Sequence, residues 1–339
     1  MRLALLMTSL LFSAVSATEA RTLTVGPGRP LATPSAAARA AQDGDVVLIE
    51  DGEYYDCAIW TASDLTIIGA GANVTITDTT CQGKALFVVT GDRMTVRNLT
   101  LARARVPDGN GAGIRLEGQS LTLEQVRFVN NQVGLLAGAP GPGAEVRVSS
   151  CSFEKGGSGG PRPRFAVSVG SSRVLRIEES TFDGVEGGQI RSGADRTELL
   201  GNRIATGTGE APAAAVLVTG GDVVMEDNLL TIGPNIPRPP AAVLATGQGA
   251  VELRRNRLIN PSDEKVALLL DWTGSEPRLQ DNHVEPDDDL WSDRGIWRHR
   301  ASIAYHGMKD AARAFAGRTK RWLGLCCPRQ SLRCLSAGR

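Results

Sequence analysis

The chain has 339 residues, with 37 Lys plus Arg against 37 Asp plus Glu. A formal net charge of zero carries no electrostatic footprint for nucleic acid, and the length alone would allow two domains. The balance hides an asymmetry, because the segment from Leu290 onward holds 11 basic residues against two Asp, leaving the part before it net acidic by nine.

Taken in order, the chain opens with Arg2, an apolar run LALLMTSLLFSAV and the small pair Ser16-Ala17. This is the pattern of a secretory signal peptide over residues 1–20, cut after Ala17 or Ala20. The apolar run is shorter than the ~20 residues a membrane-spanning helix needs, and no later segment is long and apolar enough. The reading is an exported protein, periplasmic or extracellular. After a starting strand at Thr22, Thr33-Pro34 ahead of SAAARAAQ reads as a capped helix start, a short helix that would cover the open end of a solenoid.

From Leu65 the chain repeats itself. The segments LTIIGAGA, MTVRNLTL, LTLEQVRF, VRVSSCSF, LRIEESTF, TELLGNRI, VVMEDNLL, VELRRNRL and PRLQDNHV follow one another at offsets of 22 to 29 residues. That period is too short for a βαβ unit of about 30 residues or more and fits one turn of a coiled sheet. The third column is always apolar, from Ile67 through Val96 to Leu279, and the eighth runs Leu101, Phe128, Phe153, Phe182, Ile204, Leu230, Leu258, Val284. Intervening residues alternate, as in strands with one face inside. The sixth column ends in Asn202, Asn228, Asn256 and Asn282, which predicts an internal amide ladder at a bend. A second apolar strand closes each unit on a glycine (ALFVVTG, AGIRLEG, VGLLAG and so on), and a tight corner there can call for positive φ. The expected fold is all-β, a single-stranded right-handed parallel β-helix of about nine coils over residues 21–286, with the short N-terminal helix and a C-terminal helix in residues 287–339.

Cys57 and Cys81 are 24 residues apart, one rung, and export permits a disulfide between them across stacked strands. Cys151 falls in the Asn column, where a small buried residue fits. Cys326, Cys327 and Cys334 do not have the spacing of a zinc site.

GKALFVVTGD at Gly83, TVRNLTLARARVPDGNGAGIRLEG at Thr95 and NNQVGLLAG at Asn130 together resemble the secreted bacterial right-handed parallel β-helix repeat proteins, within the pectate-lyase-like fold. The resemblance is specific over residues 83–138 and generic elsewhere. It implies an extracytoplasmic polysaccharide as partner, by analogy of fold and not from a site. The following coils depart from the group. Where its members carry a His-Asn segment this chain has Arg164-Phe165-Ala166-Val167, and where they carry Lys-Ser-Arg-Ala it has Arg191-Ser192-Gly193-Ala194. The loss of ionisable groups favours a binding or structural member over an enzyme.

A lyase acting on a uronate would need a base and cations, and Ca²⁺ held by carboxylates would suit it. Arg115 and Arg191 are the catalytic candidates, and Asp183, Glu186 and Asp195 the candidates for a cation; the blander reading makes all of them solvated surface charges. Lys84, Asn110, Arg115, Arg164 and Arg191 are the candidate contacts to an acidic polysaccharide. Asn110, in Asp108-Gly109-Asn110-Gly111, fits turn chemistry better than ligand binding. All three His, at 283, 299 and 306, fall at or past the last rung, away from any site inside the helix. In the tail, Trp297, Ala301, Ala304, Met308, Ala312, Phe315 and Trp322 recur at helical spacing among basic residues, a helix suited to covering the last rung or to peripheral contact with an anionic membrane. The function expected is that of an exported monomer, without cofactor, that binds acidic polysaccharide with weak or no catalysis. The alternatives are a polysaccharide lyase or epimerase, and an envelope-associated interaction protein.

Overall fold

The structure is a computed structural model that describes residues 20–157, 164–207, 214–234, 240–286 and 289–293. The segment with the signal-peptide pattern and the basic amphipathic tail lie outside the described residues. Within them the chain winds into a parallel β-solenoid of about ten turns, with three sheets of 11, 10 and 10 strands. Every strand pairs in parallel with the strand one coil away. We number the sheets in the order a coil visits them: sheet 1 contains Met94–Arg97 and Leu121–Glu124, sheet 2 contains Thr100–Ala102 and Arg127–Val129, and sheet 3 contains Ala112–Leu116 and Val133–Ala137. The last strand, Trp291–Ser292, pairs with Leu269 and Leu270 in sheet 3 and carries the β-helix past the expected boundary at residue 286.

The repeat columns are the registers of the sheets. Ile67, Val96, Leu123, Val148, Ile177, Leu199, Met225, Leu253 and Leu279 follow one another as Cα partners in sheet 1. In sheet 2, Phe128, Phe153 and Phe182 are buried and stack with centroids 4.7 Å apart and planes within 4°. That spacing equals the distance between hydrogen-bonded strands, so the rings inherit their offset stacking from the backbone repeat. Each pair adds about 0.5–1.5 kcal/mol beyond the area it buries. The space for the rings comes from sheet 3: a Cβ on Gly113 or Gly134 would lie 2.6 Å from the nearest ring carbon of Phe128 or Phe153 respectively.

The asparagine ladder forms at the corner between sheets 1 and 2. Asn228 Oδ1 accepts from the backbone N–H of Asn202 (2.9 Å) and from its amide (3.0 Å), while Asn228 Nδ2 donates to the Leu199 carbonyl (2.7 Å) and to Asn256 Oδ1 (2.8 Å). The ladder runs further than its four asparagines. The Ser180 hydroxyl accepts from the Cys151 N–H and the Cys151 sulfur from the Val126 N–H, so both extend the same column. Burial pushes the Cys151 thiol up to about 12.

Two expectations change in detail. The glycines that close the units on sheet 3 are not there for positive φ, since Gly91, Gly118, Gly170, Gly220 and Gly247 all have negative φ and only Gly274 of that column is positive. Those five are there because the coils touch: a Cβ on Gly118 would sit 2.1 Å from the Gly91 carbonyl oxygen, and on Gly247 1.4 Å from that of Gly220, whereas Gly138 has open space. Left-handed backbone is used at the other corners, largely by side-chain-bearing residues such as Asn98, Gln125, Ser150, Asp227 and Asp281. The Cys57–Cys81 disulfide is present, with Cα atoms 5.4 Å apart. It does not link in-register strand positions, however. Ala58 pairs with Phe87, whereas Cys81 lies in the preceding loop, whose N–H donates back to the Ala85 carbonyl. The expected helix spans Pro34–Ala40, with the Thr33 hydroxyl accepting from the Ala36 N–H and Pro34, Ala37 and Ala38 buried.

Candidate functional site

The outer face of sheet 3 differs from the other two. Its strands carry two successive inward residues, as at Leu86 and Phe87, Ala166 and Val167, and Leu268 and Leu269, all in the main core. The next residue then points outward. In register, that outward column reads Ile59, Val88, Arg115, Leu136, Ser168, Arg191, Leu217, Leu244, Leu270. Val88, with Ala85, Ala112 and Val133, forms one apolar cluster apart from the core, and Leu244 and Leu270, with Ala214, Ala241 and Ala267, form another. Arg115 and Arg191 are the two cations in this apolar stripe. They stand three rungs apart, about 14 Å at the usual strand spacing.

The two arginines have different surroundings. Arg115 Nε lies 3.7 Å from Glu117 Oε1, beyond hydrogen-bond reach, and is buried without an acceptor. Glu117 is held instead by Lys84, whose Nζ is 2.7 Å from the same oxygen. Arg191 is exposed and, among the described residues, its side chain has no hydrogen bond or ion pair. Between them, one column over, the Phe165 ring covers Gly188, where a Cβ would come within 2.1 Å of the ring. Phe165 was not among the sequence candidates. Its signal was the glycine in register with it on the next coil, which only the pairing of the two strands reveals.

The remaining candidates separate. Arg164 Nη2 donates to the Asp108 carbonyl at 2.7 Å, two coils away, and the Asp108 carboxylate accepts from the Asn110 N–H at 3.2 Å. Arg164 and Asn110 therefore meet at one loop, with Asn110 serving its turn. Asp183 faces outward from sheet 2, Glu186 lies at the corner leading to sheet 3, and Asp195 lies at the corner after sheet 3. Sharing a coil does not gather them, because that coil goes around the solenoid. Among the described residues no group of three His, Cys, Asp or Glu is placed to hold a metal. Asp183, Glu186 and Asp195 therefore do not share one cation site.

Sheet 1 shows what a self-neutralised face looks like. Arg97 pairs with Glu124 at 2.8 Å, Arg176 with both Glu178 (2.6 Å) and Glu198 (3.0 Å), and Arg255 with Asp227 (2.8 Å) and Glu226. At the corners and on sheet 2, guanidinium hydrogen bonds likewise hold Asp64, Asp78, Asp227 and Glu285 below the usual carboxylate range. These groups are committed to one another across coils, whereas Arg191 is not.

No protein-family model matches the chain, and no curated protein matches it. Among solved structures it is similar to pectin methylesterase PemA from Erwinia chrysanthemi, at 11% identity over 83% of this chain and 95% of that one, with a TM-score of 0.45. It is similar to a pectin methylesterase in complex with a hexasaccharide to the same extent, with a TM-score of 0.47. These likenesses concern the general shape and say nothing of the chemistry of this chain. Among the described residues, no helix is long and apolar enough to cross a membrane.

Proposed function

We propose that this is an exported β-helix protein that binds an acidic polysaccharide lengthwise along the outer face of sheet 3, without turning it over. The observation that carries the reading is the outward column with Arg115 and Arg191 at its two charged positions and apolar side chains around them. A guanidinium fork matches a carboxylate in geometry as well as charge. An apolar floor with few polar groups is the usual make-up of a ligand site, and here Leu136 and Phe165 would lie under the sugar rings. The disulfide suits an oxidising compartment. The shifted carboxylates described above are held low inside arginine pairs, the opposite of what a general acid needs.

The test is migration of the full chain in native gels containing polygalacturonate or, as control, a neutral glucan. Retardation by the acidic polymer, relieved by salt and reduced about tenfold in apparent affinity by Arg191→Gln, is expected. Equal retardation by the neutral glucan, or none by either, would refute the proposal. Growth of ultraviolet absorbance from unsaturated products would replace binding with lyase activity.

A further inference from the structure

The outer face of sheet 2 carries two ion pairs of identical design. Arg127 reaches Glu154 at 3.3 Å, and Arg257 reaches Glu285 at 2.7 Å. The register partners of these arginines on the next coil are Ser152 and His283, so in both cases the carboxylate stands two residues beyond the register partner. Arg203 occupies the same column. Its register partner is Leu229, and the residue two beyond is Thr231. The arginine has been kept and its carboxylate replaced.

The neighbouring acid does not make up for this. Asp183 is on the coil before, along the opposite diagonal, and the pairing slips there between Phe182 and Val185, with Gly184 at φ 64°. Bulges of this kind re-aim side chains and are common beside binding sites. Among the described residues neither the Asp183 carboxylate nor the Arg203 guanidinium has a hydrogen bond or ion pair. Both line an open groove of about 380 Å³, together with Glu154, Thr181, Leu229 and Thr231.

We infer that this groove is a second ligand site, which takes a hydroxylated carboxylate of the size of a single uronate unit. Arg203 receives the carboxylate in place of the side chain missing at Thr231. Asp183 and the two threonine hydroxyls take the sugar hydroxyls, and Leu229 lies against the ring. The site is on a different sheet from the Arg115–Arg191 column and does not depend on it.

The experiment titrates the full chain with D-galacturonate, with D-galactose as the uncharged control, and follows binding by NMR. It is done in an Arg115→Gln/Arg191→Gln background, so that the sheet 3 face does not contribute. Saturable binding of galacturonate but not galactose is expected, weakened about tenfold or more by Arg203→Gln. Thr231→Glu restores the carboxylate on the diagonal used by the other two pairs, and should abolish binding without lowering the denaturation midpoint. Undiminished binding in either variant, or equal binding of galactose, would overturn the inference. Failure of the polygalacturonate gels with success here would leave this site standing and remove only the sheet 3 proposal.

Discussion

Replacing Asn228 by alanine tests whether the amide ladder holds the coils together. The native side chain satisfies four partners: the backbone N–H and amide of Asn202, the Leu199 carbonyl and Asn256 Oδ1. Asn228 is 1% exposed, so water does not replace it. Truncation strands one backbone donor and one backbone acceptor, each costing about 1–3 kcal/mol when buried and unpaired. The expected loss is about 3–5 kcal/mol, at the high end for a single substitution. Asn282 makes the same kind of contacts, including a 2.8 Å bond to the Leu253 carbonyl, but is only half-buried. There water can take over, and Asn282→Ala should cost about 1 kcal/mol. Guanidinium denaturation followed by circular dichroism measures both, and hydrogen exchange at the Asn202 amide shows whether the loss is local. Costs below 1 kcal/mol for both variants, or the same cost for both, would refute the reasoning.

Gly118→Ala should destabilise by about 2–3 kcal/mol through overpacking against the Gly91 carbonyl, whereas Gly138→Ala, with open space at its Cβ and no positive φ, should be neutral or slightly stabilising in the same denaturation assay. Cys57→Ser with Cys81→Ser opens a link across 24 residues and should cost about 3 kcal/mol on loop entropy, read from the shift in denaturation midpoint. The Arg21 guanidinium holds the buried Asp45 carboxyl down from 3.8 to about 2. Since the folded value is the lower one, the stabilisation is fully present above about pH 4 and disappears as pH falls toward 2; Asp45→Asn should flatten the stability profile in that window. Native protein should resist iodoacetamide at Cys151, which is buried with its thiol pushed up to about 12, and should react only after unfolding, as mass spectrometry would show.

How much was legible depended on whether a feature repeats. Phe128, Phe153 and Phe182 could be aligned from the sequence because stacking coils demand the same kind of side chain at each turn, and the structure places them in one column. The four asparagines followed for the same reason. Cys151 could be placed in their column as a small buried residue, but its part as an acceptor and that of Ser180 were not legible, because an acceptor at that corner need not be an amide. The glycines were visible but not their cause, since a clash with the carbonyl of the coil below leaves no mark on local sequence. Of the candidate site, Arg115 and Arg191 were found as charges in apolar strands, but whether they shared a column was not.

Alternation and period are local properties of a chain, and they determine by themselves that it coils, which side chains go inside and where its corners fall. Distances across coils belong to the register, which the loops of unequal length between strands set only in the folded molecule. The tertiary structure alone therefore decided that Arg115 and Arg191 face the same way and that Asp183, Glu186 and Asp195 do not meet.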